Sequence, residues 1–95
     1  MAKQIYVNMP VRELSRSMEF FTRLGYQFDP QFTDENGACM VVGESIFVML
    51  LDEGFFSSFT NKPVSDARKV TEMILCLAVD SREEVKELVS RAVAA

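Results

Sequence analysis

The sequence predicts an α+β fold, in which a βαβββ module is followed by the strand and helix that begin a second module. A change of hydrophobic period near the N-terminus is the first indication. Residues 5–11 alternate with a period of two, as in a half-buried strand, whereas apolar residues from Leu14 to Leu24 recur every three to four positions, as in an amphipathic helix. Gly25 follows, where a left-handed helix cap is favoured. We therefore expect the helix to fold back on the apolar face of the strand.

Three more strands are predicted after this helix. Apolar and polar residues alternate again over residues 26–32. Pro30 indicates that this strand lies near the sheet edge, because proline has no N–H to donate to a ladder. Asn36 and Gly37 are a strong hairpin signal before a third strand at residues 38–42. Residues 45–51 are almost wholly apolar, which is typical of a central strand. These strands complete the first module.

The remaining residues predict a shorter second unit. Phe55, Phe56 and Phe59 have the spacing of a short helical turn, and residues 72–79 form an expected fifth strand. Ser81 and Glu84 have the spacing of a capping box, and Glu87 and Arg91 that of a supporting i,i+4 pair. The apolar stripe of this last helix comprises Val85, Leu88, Val89, Ala92 and Val93.

These patterns divide one compact domain into three parts. Residues 1–60 are the first module with its trailing helix, 61–69 a linker, and 70–95 an incomplete second module. A weak internal repeat supports this division, since Val7, Met9 and Val11 match apolar residues 68 positions later.

Composition excludes several classes of function. The chain has 95 residues, is 48% apolar and carries a net charge of -4, which argues against a nucleic-acid partner. No signal-peptide pattern or run of about 20 apolar residues occurs, so no membrane partner is expected. Cys39 and Cys76 are isolated within apolar strand patterns, which is typical of reduced cysteines in a cytoplasmic protein.

Histidine is absent from the sequence. No Ser-His or Cys-His couple, imidazole base or imidazole metal ligand can therefore exist within the chain. Any catalysis depends on Asp, Glu, Lys, Tyr or Cys. We predict neither a metal nor another cofactor.

The first module carries a family resemblance. A Val-x-Glu-Leu-x-x-Ser-x-x-Phe-Phe pattern followed by Leu-Gly-Tyr is formed by Val11, Glu13, Leu14, Ser17, Phe20, Phe21, Leu24, Gly25 and Tyr26. This pattern resembles the glyoxalase/bleomycin-resistance/dioxygenase group, or vicinal oxygen chelate superfamily, whose usual signature has Asp, Phe-Tyr and Leu-Gly-Phe there. Residues 8–51 look like its uncharacterised predicted lactoylglutathione lyase branch. The resemblance implies the fold rather than one reaction, since members include lyases, dioxygenases, isomerases and drug-binding proteins.

The resemblance also implies positions for metal ligands. In metal-dependent members the ligands come from the first and last strands of each module, which correspond here to Tyr6, Met49 and Ile74. The fourth would lie in strands of the second module that this sequence lacks. Tyr6, Met49 and Ile74 are unsuited to a divalent ion of this kind. We therefore expect a metal-free site.

Strand alternation predicts a ligand pocket on the concave side of the sheet. Ile5, Val7, Val48, Leu75 and Leu77 are expected to pack under the helices. The pocket would be lined by the residues of opposite parity, namely Tyr6, Asn8, Phe47, Met49, Ile74 and Cys76. Aromatic, thioether and thiol groups with one amide suit an apolar or planar ligand. The alternative is that these residues belong to the core or to a dimer contact.

Three functional hypotheses follow. The first is a metal-free small-molecule binding protein. The second is a lyase or dioxygenase relative that needs residues absent from this chain, and the third is a non-catalytic dimeric assembly fragment. We expect a homodimer in which the first modules of two chains pair, because the second module stops after its helix. A ferredoxin-like sandwich remains the alternative fold.

Overall fold

The computed structural model describes residues 2–95 and confirms the α+β class. Its strands are β1 (Ile5–Val11), β2 (Gln27–Asp29), β3 (Gly37–Gly43) and β4 (Ile46–Asp52). Its α-helices are α1 (Leu14–Leu24), α2 (Glu53–Ser57) and α3 (Arg82–Ala94), and a 3-10 turn spans Pro30–Phe32. None of the helices formed by residues 2–95 is long and apolar enough to cross a membrane.

The four strands form one mixed sheet in the order β1-β4-β3-β2. β4 lies inside the sheet, parallel to β1 and antiparallel to β3, which confirms the central position predicted from its apolar sequence. β3 leads directly into β4, whereas a ferredoxin-like fold has a helix between its third and fourth strands. The first module is therefore the predicted βαβββ unit.

The core lies between the sheet and α1. Met40, Val48 and Leu50 are at most 1% exposed and form its centre. Val7 and Phe21 pack against them, so α1 covers the face of the sheet that alternation predicted. Full burial of side chains of this size contributes roughly 1.5–3 kcal/mol each.

Gly25 ends α1 as predicted. Its φ of 105° is left-handed, its N–H donates to the Thr22 carbonyl at 3.0 Å, and the next N–H donates to the Phe21 carbonyl at 3.1 Å. Arg91 Nη1 also donates to the Leu24 carbonyl at 3.4 Å. The end of α1 is thus where α3 is attached to the first module.

The predicted second strand is too long. β2 ends at Asp29, and Pro30 begins the 3-10 turn instead of continuing the ladder. The Asp29 carboxylate accepts a hydrogen bond from the Gln31 N–H at 2.9 Å, and its carbonyl accepts one from Thr33 Oγ1 at 2.7 Å. These local hydrogen bonds, with the missing N–H of Pro30, favour the turn over the strand.

The predicted Asn36-Gly37 turn also differs. A two-residue turn of that type requires positive φ at both positions, but among residues 2–95 only Gly25 has a positive φ. The Asp34 carboxylate instead accepts hydrogen bonds from the Asn36 N–H at 2.8 Å and the Gly37 N–H at 3.1 Å. Gly37 is the first residue of β3, where a Cβ would lie 2.7 Å from Leu51 Cδ2. Close packing explains this glycine.

The predicted fifth strand is not formed. Residues 71–79 have no strand assignment and no backbone hydrogen bond in the described part of the chain. This segment forms no ladder with the outer edge of β1, so its alternating sequence is not sufficient to make it a strand.

The last helix begins and pairs as predicted. Ser81 caps α3 by accepting a hydrogen bond from the Glu84 N–H at 3.2 Å, and Arg91 pairs with Glu87 at 2.5 Å. Leu88 is half-buried, whereas Val93, on the same predicted stripe, is 83% exposed. The structure therefore covers only part of that stripe.

Replacement of Gly25 by alanine should destabilise the chain. A Cβ in the left-handed conformation costs about 1–2 kcal/mol, and here it would also lie 3.0 Å from Arg91 Nη1. Gly43→Ala is the control, because its φ is not left-handed and its Cβ would make an ordinary 3.7 Å contact with Ile46. Urea denaturation at one fixed protein concentration should show the loss for Gly25→Ala only. Equal losses would contradict the assigned role of the cap.

Candidate functional site

The face of the sheet opposite α1 carries four of the six predicted pocket residues. The parallel register places Tyr6 beside Phe47 and Asn8 beside Met49. The Tyr6 and Phe47 rings are stacked, with centroids 4.7 Å apart and planes inclined by 14°. Tyr6 is 42% exposed, and Phe47 and Met49 are half-buried. The structure thus brings these four residues together on an open apolar face.

Ile74 and Cys76 are not brought to this face by a ladder. They belong to the segment without a strand partner, Ile74 is 87% exposed, and Cys76 is exposed. Their predicted place in the pocket depended on alternation along a fifth strand, and that strand is not formed. A pocket role for these two residues remains a prediction.

The adjacent strand β3 adds Cys39, which the sequence predicted only to be a reduced cysteine. Antiparallel pairing places Cys39 opposite Met49, and its side chain is fully buried. Its N–H donates to Thr33 Oγ1 at 3.1 Å, which attaches β3 to the end of the 3-10 turn. Burial raises the pKa of the Cys39 thiol, and the charge of Asp29 raises it further. The thiol is therefore neutral at physiological pH and contributes packing rather than a nucleophile.

A groove of about 440 Å³ lies beside this face. Asn8 and Pro10 of β1 form one side of it. The other side comes from α2 and the irregular segment after it, and comprises Phe56, Thr60, Pro63, Val64, Ser65, Glu72 and Met73. Sequence reasoning missed this second wall, although the phenylalanine spacing at residues 55–59 predicted the short helix that supplies Phe56.

The carboxylates nearest to the predicted metal positions make other contacts. Asp52 caps α2 by accepting a hydrogen bond from the Gly54 N–H at 3.1 Å. Glu53 pairs with Arg12 at 3.6 Å, and Glu72 accepts a hydrogen bond from Ser65 Oγ at 2.6 Å. Each carboxylate is therefore engaged in local structure.

The side chains at the implied metal positions do not fit a divalent ion. Tyr6 is stacked on Phe47, Met49 offers only a thioether, and Ile74 has no donor atom. Nor do residues 2–95 contain a group of three His, Cys, Asp or Glu side chains placed to hold a metal. The chemistry of this face is aromatic stacking and dispersion, with the Asn8 amide and the Tyr6 hydroxyl as its polar groups among the four residues.

The fold and this face define a βαβββ protein with an open, mainly apolar sheet surface. Residues 3–43 match a family described as Bleomycin resistance protein-like N-terminal, so this part of the chain is similar to that domain of the vicinal oxygen chelate superfamily. The hypothetical protein SA1046 from S. aureus has a similar structure, with a TM-score of 0.77 and 23% sequence identity. The similarity covers 99% of this chain and 70% of that one. No curated protein matches.

These comparisons support the resemblance at the level of the domain and the fold. At 23% identity the structural similarity concerns the fold alone, and neither comparison assigns a reaction. The lactoylglutathione lyase branch remains a prediction.

We expect no stoichiometric divalent metal, because the implied ligand positions hold Tyr6, Met49 and Ile74 and the chain has no histidine. Elemental analysis of the purified protein should find no bound metal, and thermal melts should not shift with micromolar zinc, nickel or manganese. A ligand that binds the native state tightly must raise its melting temperature. A rise of several degrees with any of these ions would overturn the expectation.

Proposed function

We propose that this chain binds small apolar or aromatic molecules without a metal, on the sheet face formed by Tyr6, Asn8, Phe47 and Met49. The stacked pair of Tyr6 and Phe47 on an open face is the observation that carries the proposal. A planar molecule gains stacking and dispersion energy on such a surface.

The groove beside this face supports the same function. Asn8 belongs both to the apolar face and to the groove, so a ligand on the stacked rings can extend along β1 towards Pro10. Successive residues on one face of a strand are about 7 Å apart, which is within the length of a two-ring aromatic molecule. The Asn8 amide supplies a donor and an acceptor that can orient such a ligand.

Met49→Asp should abolish binding and leave the protein folded. A charge on this open face removes the apolar contact, but solvent can still hydrate the carboxylate. Titration followed by NMR with 2-naphthol, and with bleomycin because the matched family carries its name, measures the binding. Met49→Leu should keep it, since the volume and apolar character are similar.

Val48→Asp is the matched control for folding. Val48 is one residue away and only 1% exposed on the core side, so an unpaired charge there should unfold the chain. Circular dichroism distinguishes the two variants. If Met49→Asp unfolds like Val48→Asp, the face is interior to the native assembly and the binding proposal is wrong.

We also propose that the chain forms a homodimer through its exposed apolar residues. The first modules are expected to pair, and their exposed apolar residues include Ile5 and Ile46, which are neighbours on β1 and β4, and Phe59 after α2. β1 is an edge strand, and its outer edge has no ladder partner among residues 2–95. Contiguous apolar surface and free strand edges are typical of faces that associate.

Sedimentation equilibrium across a hundredfold dilution should show twice the 10.8 kDa mass of one chain at the higher concentrations. Because the dimer should stabilise each protomer, the melting temperature should fall on dilution. A monomer that melts cooperatively at the same temperature throughout this range would refute the dimer.

A further inference from the structure

Most of the second wall of the groove is one irregular segment, residues 60–73, which we call the strap; Phe56 of α2 supplies the rest. It follows α2 and runs past β1, opposite Asn8 and Pro10. In the described part of the chain, no backbone hydrogen bond joins the strap to β1. The width of the groove therefore depends on what else holds the strap in place.

Internal hydrogen bonds fold part of the strap into a compact turn around Asp66. The Asp66 carbonyl accepts hydrogen bonds from the Lys69 N–H at 2.9 Å and the Val70 N–H at 3.0 Å. Its carboxylate accepts one from the Arg68 N–H at 3.1 Å and one from Arg68 Nε at 3.2 Å. The hydrogen bonds from Arg68 lower the pKa of Asp66, so its carboxylate stays ionised at neutral pH. The Asp66 carboxylate is paired with Arg68 at 3.2 Å and also faces the end of β1.

Arg12 is the residue that meets this charge. It directly follows β1, and its Nη2 lies 3.5 Å from Asp66 Oδ2 while its Nε lies 3.6 Å from Glu53 Oε1 at the start of α2. One guanidinium thus joins the end of the sheet, α2 and the strap. All three side chains are partly exposed to solvent, and ion pairs in such surroundings are weak and sensitive to salt.

We propose that the strap is a movable wall of the groove and that Arg12 is the latch that holds it closed. When the Arg12 pairs break, the strap moves away from β1 and its turn around Asp66 loosens, while the sheet stays intact because it has its own core of Met40, Val48 and Leu50. The closed strap narrows the path by which a ligand reaches Asn8. The consequence for a ligand rests on the proposed function, but the latch itself is a property of the free protein.

Hydrogen exchange of the free protein tests the latch. In Arg12→Gln, the strap amides should exchange about two- to fivefold faster than in the native chain, as expected for the loss of partly exposed ion pairs. The amides of β3 and β4 should keep their rates, and Arg12→Lys should restore much of the protection. Arg16→Gln is the matched control, since it removes the same charge from α1, where Arg16 lies 3.9 Å from Glu13.

Salt gives a second criterion. At 1 M NaCl the strap exchange of the native chain should rise towards that of Arg12→Gln, and salt should accelerate the variant less than the native chain, because the variant lacks the Arg12 pairs and keeps only the Arg68–Asp66 pair. Unchanged strap exchange in Arg12→Gln would overturn the proposal. Equal acceleration of β3 and β4 would also overturn it, because it indicates loss of global stability.

Binding of 2-naphthol distinguishes a failure of the latch from a failure of the proposed function. If 2-naphthol binds, it should dissociate faster from Arg12→Gln than from Arg16→Gln. If it binds neither variant nor the native chain, the proposed function fails while the exchange result still decides the latch. If it binds and dissociates at equal rates from all three, the gating role is refuted.

Discussion

The parallel pairing of β1 with β4 is the contact on which both faces of this protein depend. It joins the first and last strands of the module, and its register sets Val7 beside Val48 on the core face and Tyr6 beside Phe47 on the open face. A slip of one residue would exchange these faces, because side chains alternate along a strand. The fully buried Val48 opposes such a slip. Core packing under α1 therefore also fixes the aromatic pair on the other side.

The sequence correctly predicted the helices and strands whose side chains pack into the core. β1, α1 and β4 each have an apolar face that packs on another element, so their hydrophobic period reflects their real surroundings. Two predictions failed where the pattern was the same but the partner was different or missing. At Asp29 and Pro30, local hydrogen bonds compete with the ladder, and residues 71–79 alternate without a hydrogen-bonded strand partner. Alternation of apolar and polar residues identifies the two faces of a strand, but the strand forms only where a second strand pairs with it.

The candidate site was likewise predicted only in part. Alternation placed Tyr6, Asn8, Phe47 and Met49 on one face, and the register brings them together. It could not indicate the wall formed mainly by residues 60–73, because residues 60–71 have no periodic pattern and the Arg12–Asp66 contact joins residues far apart in sequence. Contacts between charges far apart in sequence have no local signal. Local signals did predict the Gly25 cap and the Ser81 cap, since each requires only a few neighbouring residues.

The contrast between α1 and α3 shows how differently two helices of similar length are held. α1 packs Phe21 against the core, whereas α3 has no fully buried residue and is attached by a half-buried Leu88 and by Arg91 at the end of α1. Its cap and the Glu87–Arg91 pair favour the helix locally, but a 13-residue helix gains most of its stability from packing. Residues after α2 are thus coupled only weakly to the βαβββ core. Because the core of Met40, Val48 and Leu50 includes no residue of this region, we expect the two parts of the chain to differ in stability.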